Sequence, residues 1–242
     1  MEAIILAGGR AERLGEAAQG KPKPLVRVGG RPLAAWQVGL LARAGVGHVI
    51  VSCAAGAGES FERELSGLGP RLSVAEETEP LGRGGGIRFA ASRRQESGDL
   101  FVLNGDELLD VEFEALRAQH ERSGAAATIV VVRPRSPFGV VELDGDRVAG
   151  FSEGGTIDCW VSCGVYMLGD EALERFPARG DHETTTFPEL ADSGRLAAYR
   201  HEGVWLTVNT PKDLRLADEY LRAHPAWLTG VGSPSGQAAG LP

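Results

Sequence analysis

The sequence predicts an α/β fold, a mostly parallel sheet flanked by helices, on three observations. Short apolar runs alternate with helical segments, as in Ala3 to Ala7, Leu33 to Ala44 and His48 to Cys53, which is the pattern of repeated βαβ units. The first apolar run empties into Gly8-Gly9, a bare-backbone turn at a strand's carboxyl end. A later run, Asp99 to Asn104, ends the same way on Gly105-Asp106. Parallel strands put such ends on one edge, where open α/β sheets hold their ligands.

The bulk numbers agree. A chain of 242 residues, 43% hydrophobic and 24% charged, has the length for a sizeable core. One domain over residues 1–223, followed by a flexible tail at 224–242 rich in glycine, serine, alanine and proline towards its end, is the economical division. The net charge of −8 disfavours non-specific binding to nucleic acid or to a membrane surface. There is no run of eighteen apolar residues and no signal-peptide pattern. Cys53, Cys159 and Cys163 lack metal-site spacing, and an odd count suggests reduced thiols in a cytoplasmic protein. The five histidines are scattered, which fits surface or structural roles.

In order, the strand Ala3 to Ala7 leads to Gly8-Gly9, then Arg13, then Lys21-Pro22-Lys23-Pro24-Leu25. Glycine amides can approach a polyphosphate closely. Arg13 can fork across two phosphate oxygens, and Lys23, framed by two prolines of fixed φ, supplies a point charge. A P-loop would need Gly-Lys-Ser/Thr, and a dinucleotide fingerprint would need glycine at Ala11. The plain alternative is a turn that merely joins strand to helix.

A helix follows through Leu33 to Ala44, with Pro32 in its first turn and Gly45 past its end. Then come a strand at His48 to Cys53, a helix near Glu59 to Leu65 and a strand near Leu72 to Val74. Gly82, Gly84, Gly85 and Gly86 form a second glycine loop ahead of a helix, structural or ligand-facing. Asp106 ends the next strand as a candidate ligand for magnesium, which takes one or two carboxylates. Asp110 is the expected cap of a helix from Val111 to Ser123. After a strand at Ala125 to Val132, alternating runs around Asp144-Gly145-Asp146 predict a hairpin. The same aspartates could also be a metal-binding Asp-x-Asp. Next are a strand at Gly164 to Leu168, a helix from Asp170 to Phe176, a helix near Thr186 and a strand near Leu196 to His201. Thr210-Pro211 with Asp213 caps a last helix to about Ala223.

Leu6 to Leu14 with Pro22-Lys23-Pro24-Leu25 resembles the signature of the sugar-1-phosphate nucleotidylyltransferases, or NDP-sugar pyrophosphorylases. The resemblance spans residues 1 to about 223 and is strongest over the first 106. It implies a Rossmann-like sheet with a small β-hairpin excursion over the sugar side. Leu6, Ala7, Gly8 and Gly9 would wrap a nucleoside triphosphate, Arg13 and Lys23 would contact its phosphates, and Gly82 and Gly84 its base and ribose. Asp106 matches the family's metal aspartate. Gly139 and Glu153 match sugar-hydroxyl contacts, and Ser162 stands where asparagine is common. Departures are Ala11 for glycine, Gly154 for a lysine that grips the sugar phosphate, and Thr207 for a second metal aspartate. Asn209 is then the expected second magnesium ligand.

The implied activity joins a nucleoside triphosphate to a sugar 1-phosphate with magnesium as cofactor, releasing pyrophosphate. Arg13, Lys23 and Asp106 would be its catalytic residues. Glu79-Pro80-Leu81-Gly82 and the chain length look most like guanylyltransferases for mannose or heptose 1-phosphates. Two other readings are a regulatory homologue that binds nucleotide without transfer, and a glycosyltransferase consuming an NDP-sugar. Apolar surface near the last helices would pair copies into a homo-oligomer.

Overall fold

The computed structural model describes residues 1–224 and 227, except 10 and 137. Its first half runs β1 (Glu2–Leu6), β2 (Arg27–Val28), β3 (Arg31–Pro32), α1 (Leu33–Arg43), β4 (His48–Ala54), α2 (Gly58–Leu65), β5 (Arg71–Glu77) and α3 (Gly82–Ala91). Then come β6 (Leu100–Asn104), β7 (Glu107–Leu109), α4 (Phe113–Ser123) and β8 (Ala127–Val132). The second half runs β9 (Val140–Asp144), β10 (Arg147–Ser152), β11 (Val161–Leu168), α5 (Asp170–Arg175) and α6 (Thr186–Asp192). It ends with β12 (Leu196–Arg200), β13 (Trp205–Thr207) and α7 (Pro211–Ala223). The residues expected to lie in a tail at 224–242 fall, apart from His224 and Trp227, outside the described ones.

Seven strands form the central sheet in the order β12-β8-β11-β6-β1-β4-β5. All its pairings are parallel except the two made by β11. Both faces are covered, which explains why its central strands read as continuous apolar runs. Alternate residues sort to opposite sides. Ala3, Ile5, Val49, Val51, Phe101 and Leu103 enter one core, with Phe61 of α2 and Leu116 of α4. Ile4, Ile50, Leu100 and Val102 enter the other, with Ile87 of α3 and Leu190 of α6. Each such fully buried side chain contributes about 1.5–3 kcal/mol. A third cluster joins Leu14, Trp36, Leu206 and Leu221, and so fastens α7 beside the first loop.

The amino edge of the sheet is a buried polar knot. His48 bridges Glu2 Oε1 (2.5 Å) and Ser73 Oγ (2.8 Å), and the amides of Gln95 and Glu96 donate to Glu2. Burial resists ionisation of Glu2, but these hydrogen bonds outweigh it and hold its carboxyl below the usual range.

Three expectations need correction. The glycines at 82–86 do not precede a helix but form the first turn of α3. Their missing side chains let α3 lie on the segment at 177–182: a Cβ at Gly84 would stand 2.8 Å from the amide of His182. Asp110 does not cap α4, whose N-cap is Glu112 without a side-chain bond. It accepts instead from the Val204 amide (2.6 Å) and lies 3.0 Å from His201 Nε2. Finally, α7 turns Ala217 and Leu221 inward. Among the described residues the large exposed apolar side chains gather on the β9–β10 hairpin, with Phe138, Leu143, Val148 and Phe151 each about two-thirds or more exposed. The hairpin itself forms as expected, with Gly145 in its turn at φ +58°.

Candidate active site

The carboxyl edge of the sheet gathers three distant segments around one ammonium. Lys23 opens a short 3-10 turn, Lys23–Leu25, whose Pro24 and Leu25 are buried. Its Nζ donates to Asp106 Oδ2 (2.9 Å) and to Asn209 Oδ1 (2.8 Å). Asp106 sits in the turn between β6 and β7, and that turn is pinned from below. Gln37 of α1 donates to the carbonyls of Asn104 and Glu107, both at 2.7 Å. The Asp106 carbonyl accepts from Val208 (3.0 Å), which brings the end of β13 alongside. Asn209 is set by the start of α7, where Thr210 and Asp213 make a reciprocal capping box and Asp213 also accepts from the Asn209 amide. Thr207 lies on β13 opposite Glu107.

This pair of oxygens suits a hard divalent cation. A carboxylate and an amide oxygen already converge on a positive group, and magnesium takes few protein ligands, the rest coming from phosphate and water. Among the described residues no three His, Cys, Asp or Glu side chains form a metal cage.

Lys21 and Pro22, which precede Lys23 in the chain, line a cavity of about 370 Å³ together with Ala7, Gly8, Gly9, Ala11 and Ala54. The Leu6 carbonyl accepts the Gly105 amide at 2.8 Å, which ties the end of β1 to the turn that carries Asp106. Ala11 has φ −80°, so its Cβ is unstrained and the loop does not need glycine there. Arg13 is exposed on the following 3-10 segment, Glu12–Ala18. Behind Gly8 stands a buried carboxylate that the pattern of the sequence did not single out. Glu77 ends β5 and accepts from Ser52 Oγ (2.8 Å) and the Leu81 amide (3.1 Å). Its Oε1 lies 3.4 Å from where a Gly8 Cβ would be and 2.8 Å from that of Gly86. Glu77 therefore joins the first loop to the turn that starts α3. Gly82 takes φ +78° there, and Gly84 donates to the Gly180 carbonyl at 3.0 Å.

A second polar group approaches from β11. Ser162 lies on β11 four residues before Tyr166, whose hydroxyl donates to Glu183 Oε1 at 3.0 Å. Arg83, partly exposed, pairs with both Asp181 (2.5 Å) and Glu183 (2.7 Å) and ties α3 to the segment before α6. Glu107 is bonded to the Trp205 indole. Burial pushes its carboxyl up to about 8, with the charges of Asp106 and Glu183 adding to the effect and Trp205 and Lys23 opposing it. Gly139 and Glu153 are on the hairpin side; a Cβ on Gly139 would come within 2.9 Å of Phe151 Cε2. Lys23, Asp106 and Asn209 are thus brought into direct contact, while Gly139 and Glu153 are not joined to them by any hydrogen bond among the described residues. Only long-range pairing exposes Glu77 and Glu183; in sequence each is one acid in an acid-rich stretch.

An open sheet whose carboxyl edge gathers Lys23, Asp106 and Asn209, with a glycine-lined cavity at its first loop, has the architecture of a nucleotide-handling α/β enzyme. The nucleotidyl transferase family profile matches residues 2–223, and the chain belongs to that family. It is 34% identical over 245 residues to the mannose-1-phosphate guanylyltransferase catalytic subunit beta of Xenopus tropicalis, covering 94% of this chain and 68% of that one. It is 33% identical over 228 residues to the mannose-1-phosphate guanyltransferase of Emericella nidulans, covering 88% and 62%. Among solved structures, the inositol-1-phosphate CTP transferase from T. maritima superposes with a TM-score of 0.73 at 20% identity, over 96% of this chain and 98% of that one. HddC from Yersinia pseudotuberculosis gives 0.71 at 23%, over 91% and 99%. No helix among the described residues is long and apolar enough to cross a membrane.

Proposed function

We propose that the protein is a sugar-1-phosphate nucleotidylyltransferase that prefers GTP and mannose 1-phosphate or a closely similar sugar phosphate. The observation that carries this reading is the convergence of Lys23, Asp106 and Asn209 beside the glycine-lined cavity. An oxygen of the sugar phosphate attacks the nucleotide α-phosphorus in line. The new phosphorus–oxygen bond forms as the bond to the bridging oxygen breaks, and pyrophosphate leaves with that electron pair. No covalent intermediate is needed, so the chain has to position and neutralise rather than attack. Leu6, Ala7, Gly8 and Gly9 hold the triphosphate, and Gly82, exposed at the start of α3, borders the base and ribose, whereas Gly84 is buried against the segment at 177–182 and serves packing instead. Arg13 and Lys23 offset charge on the α-phosphoryl oxygens and the departing pyrophosphate. Asp106 and Asn209 would hold magnesium, whose bound charge neutralises phosphate oxygens. Gly139, Glu153 and Ser162 face the sugar.

Glu77 supports guanine. A carboxylate only accepts hydrogen bonds, and guanine presents two adjacent donors, N1–H and the N2 amine, on one edge; uracil and thymine present a single donor between two acceptors. The three free thiols, of which Cys159 is exposed, support a reducing, cytoplasmic setting. The exposed hairpin face, rather than the last helices, supports self-association. The test is a panel of GTP, UTP, dTTP, CTP and ATP against several sugar 1-phosphates, read as pyrophosphate release. Turnover highest with GTP and mannose 1-phosphate is expected. Nucleotide binding without turnover on any sugar phosphate would replace this reading with the regulatory one, and transfer from an NDP-sugar without pyrophosphate chemistry with the glycosyltransferase one.

A further inference from the structure

A sugar 1-phosphate is a dianion at neutral pH, and its phosphate has to be gripped by a cation other than the one on the nucleotide side. Lys23 is engaged with Asp106 and Asn209. Position 154, where the resemblance would put a lysine, is Gly154 at φ +65°, a left-handed backbone that a lysine would adopt only at a cost. An arginine side chain borders the space a side chain would fill there. The Arg135 Nη2 lies 3.5 Å from where a Cβ of Gly154 would stand, and Arg135 Nε donates to the Gly154 carbonyl at 3.2 Å.

We propose that Arg135 is the residue of this chain that binds the phosphate of the sugar 1-phosphate, reaching across from the end of β8 into the place of the side chain that position 154 lacks. The proposal rests on the transferase reading above. Three observations carry it. First, Arg135 lies just beyond Val132, the last residue of β8, and β8 runs parallel to β12 and in the same direction as β6. Its segment therefore leaves the sheet at the same edge as Asp106. Second, a bridge between Arg135 and Thr156 and the bond to Gly154 fix the backbone beside Glu153, the expected hydroxyl acceptor. Third, the guanidinium is open. Among the described residues its two terminal nitrogens meet no carboxylate and no carbonyl, with only Nε engaged. The neighbouring cations are occupied: Arg133 leans on Asp158 (3.5 Å) and the Trp160 ring, and Arg200 also lies over Trp160. Two parallel N–H groups held by their Nε anchor match two phosphate oxygens.

Steady-state kinetics on R135A and R135K, with GTP and mannose 1-phosphate, tests this. R135A is expected to raise KM for the sugar phosphate by on the order of 10- to 100-fold, with KM for GTP within about twofold of wild type. R135K, which keeps the charge but not the fork, should recover only part of the loss. Equal KM values for the sugar phosphate in R135A and wild type would overturn the assignment while leaving the transferase reading in place. A parallel rise in both substrates' KM, or a lowered melting temperature without a KM split, would show a structural role and also overturn it. A wild-type enzyme inactive on every sugar phosphate would fail the underlying reading instead.

Discussion

His182 allows the sharpest quantitative prediction. Its ring is fully buried, stacked on Phe176 at 4.9 Å and edge-on to Tyr166 and Phe187. Neither ring nitrogen has a hydrogen-bond partner among the described residues, and Asp181 stays 3.8 Å away. Burial pushes the imidazole down to about 4 from its ordinary 6.5, against the pull of Glu183 and Asp181. Between those values the unfolded chain binds a proton that the folded chain refuses, so stability rises with pH. The contribution is complete above pH 6.5 and is lost as pH falls towards 4. The gap is worth about 3 kcal/mol, most of it gone by roughly pH 4.5. Replacing His182 by leucine keeps the apolar packing and removes the proton site. Urea unfolding at pH 7, 5.5 and 4.5 should then show wild type losing about 3 kcal/mol more than His182→Leu on acidification. Parallel pH curves for the two proteins would refute the claim that this ring is held neutral by burial. The carboxylates of Glu2 and Asp170, both held low in the fold and remote from His182 in their partners, lose stability in acid in both proteins and cancel in the comparison.

Other outcomes follow from the site and its supports. Asp106→Asn should cut magnesium-dependent pyrophosphate release by about 100-fold or more while the melting temperature holds; undiminished activity would remove Asp106 from the site. Glu77→Gln should raise KM for GTP about tenfold or more and change that for UTP much less, so an unchanged GTP-to-UTP ratio counts against base reading by Glu77. Gly82→Ala places a Cβ 2.6 Å from the Gly180 carbonyl at φ +78°. It should cost about 3 kcal/mol, seen as a fall in melting temperature of roughly 6–12 °C.

What could be read from the sequence was local chemistry. Strand ends announced themselves by apolar runs closing on Gly8-Gly9 and on Gly105-Asp106, and the capping box of Thr210 and Asp213 is a three-residue signal. The Asp144-Gly145 turn is equally short-range. What failed was every case where a distant partner decided. Asp110 has the spacing of a helix cap but is claimed by His201 and Val204, ninety residues on. The glycines at 82–86 look like a loop because helices avoid glycine, yet the backbone at 177–182 presses so closely that nothing larger fits. Ala11 stands where the resemblance would put glycine, and its φ of −80° shows that the turn there accepts a Cβ. Glu77, Glu183 and Arg135 carry no pattern of their own; each gains meaning from the strand or turn that ends beside it.

The reversed direction of β11 has an architectural consequence. Because β8 ends and β11 begins at the same edge of the sheet, residues 133–160 leave and re-enter the body of the protein through one doorway. Insertions, deletions or wholesale exchange within that span leave every register of the seven-stranded sheet intact. One contiguous segment can thus be transplanted as a unit, with the central sheet left untouched.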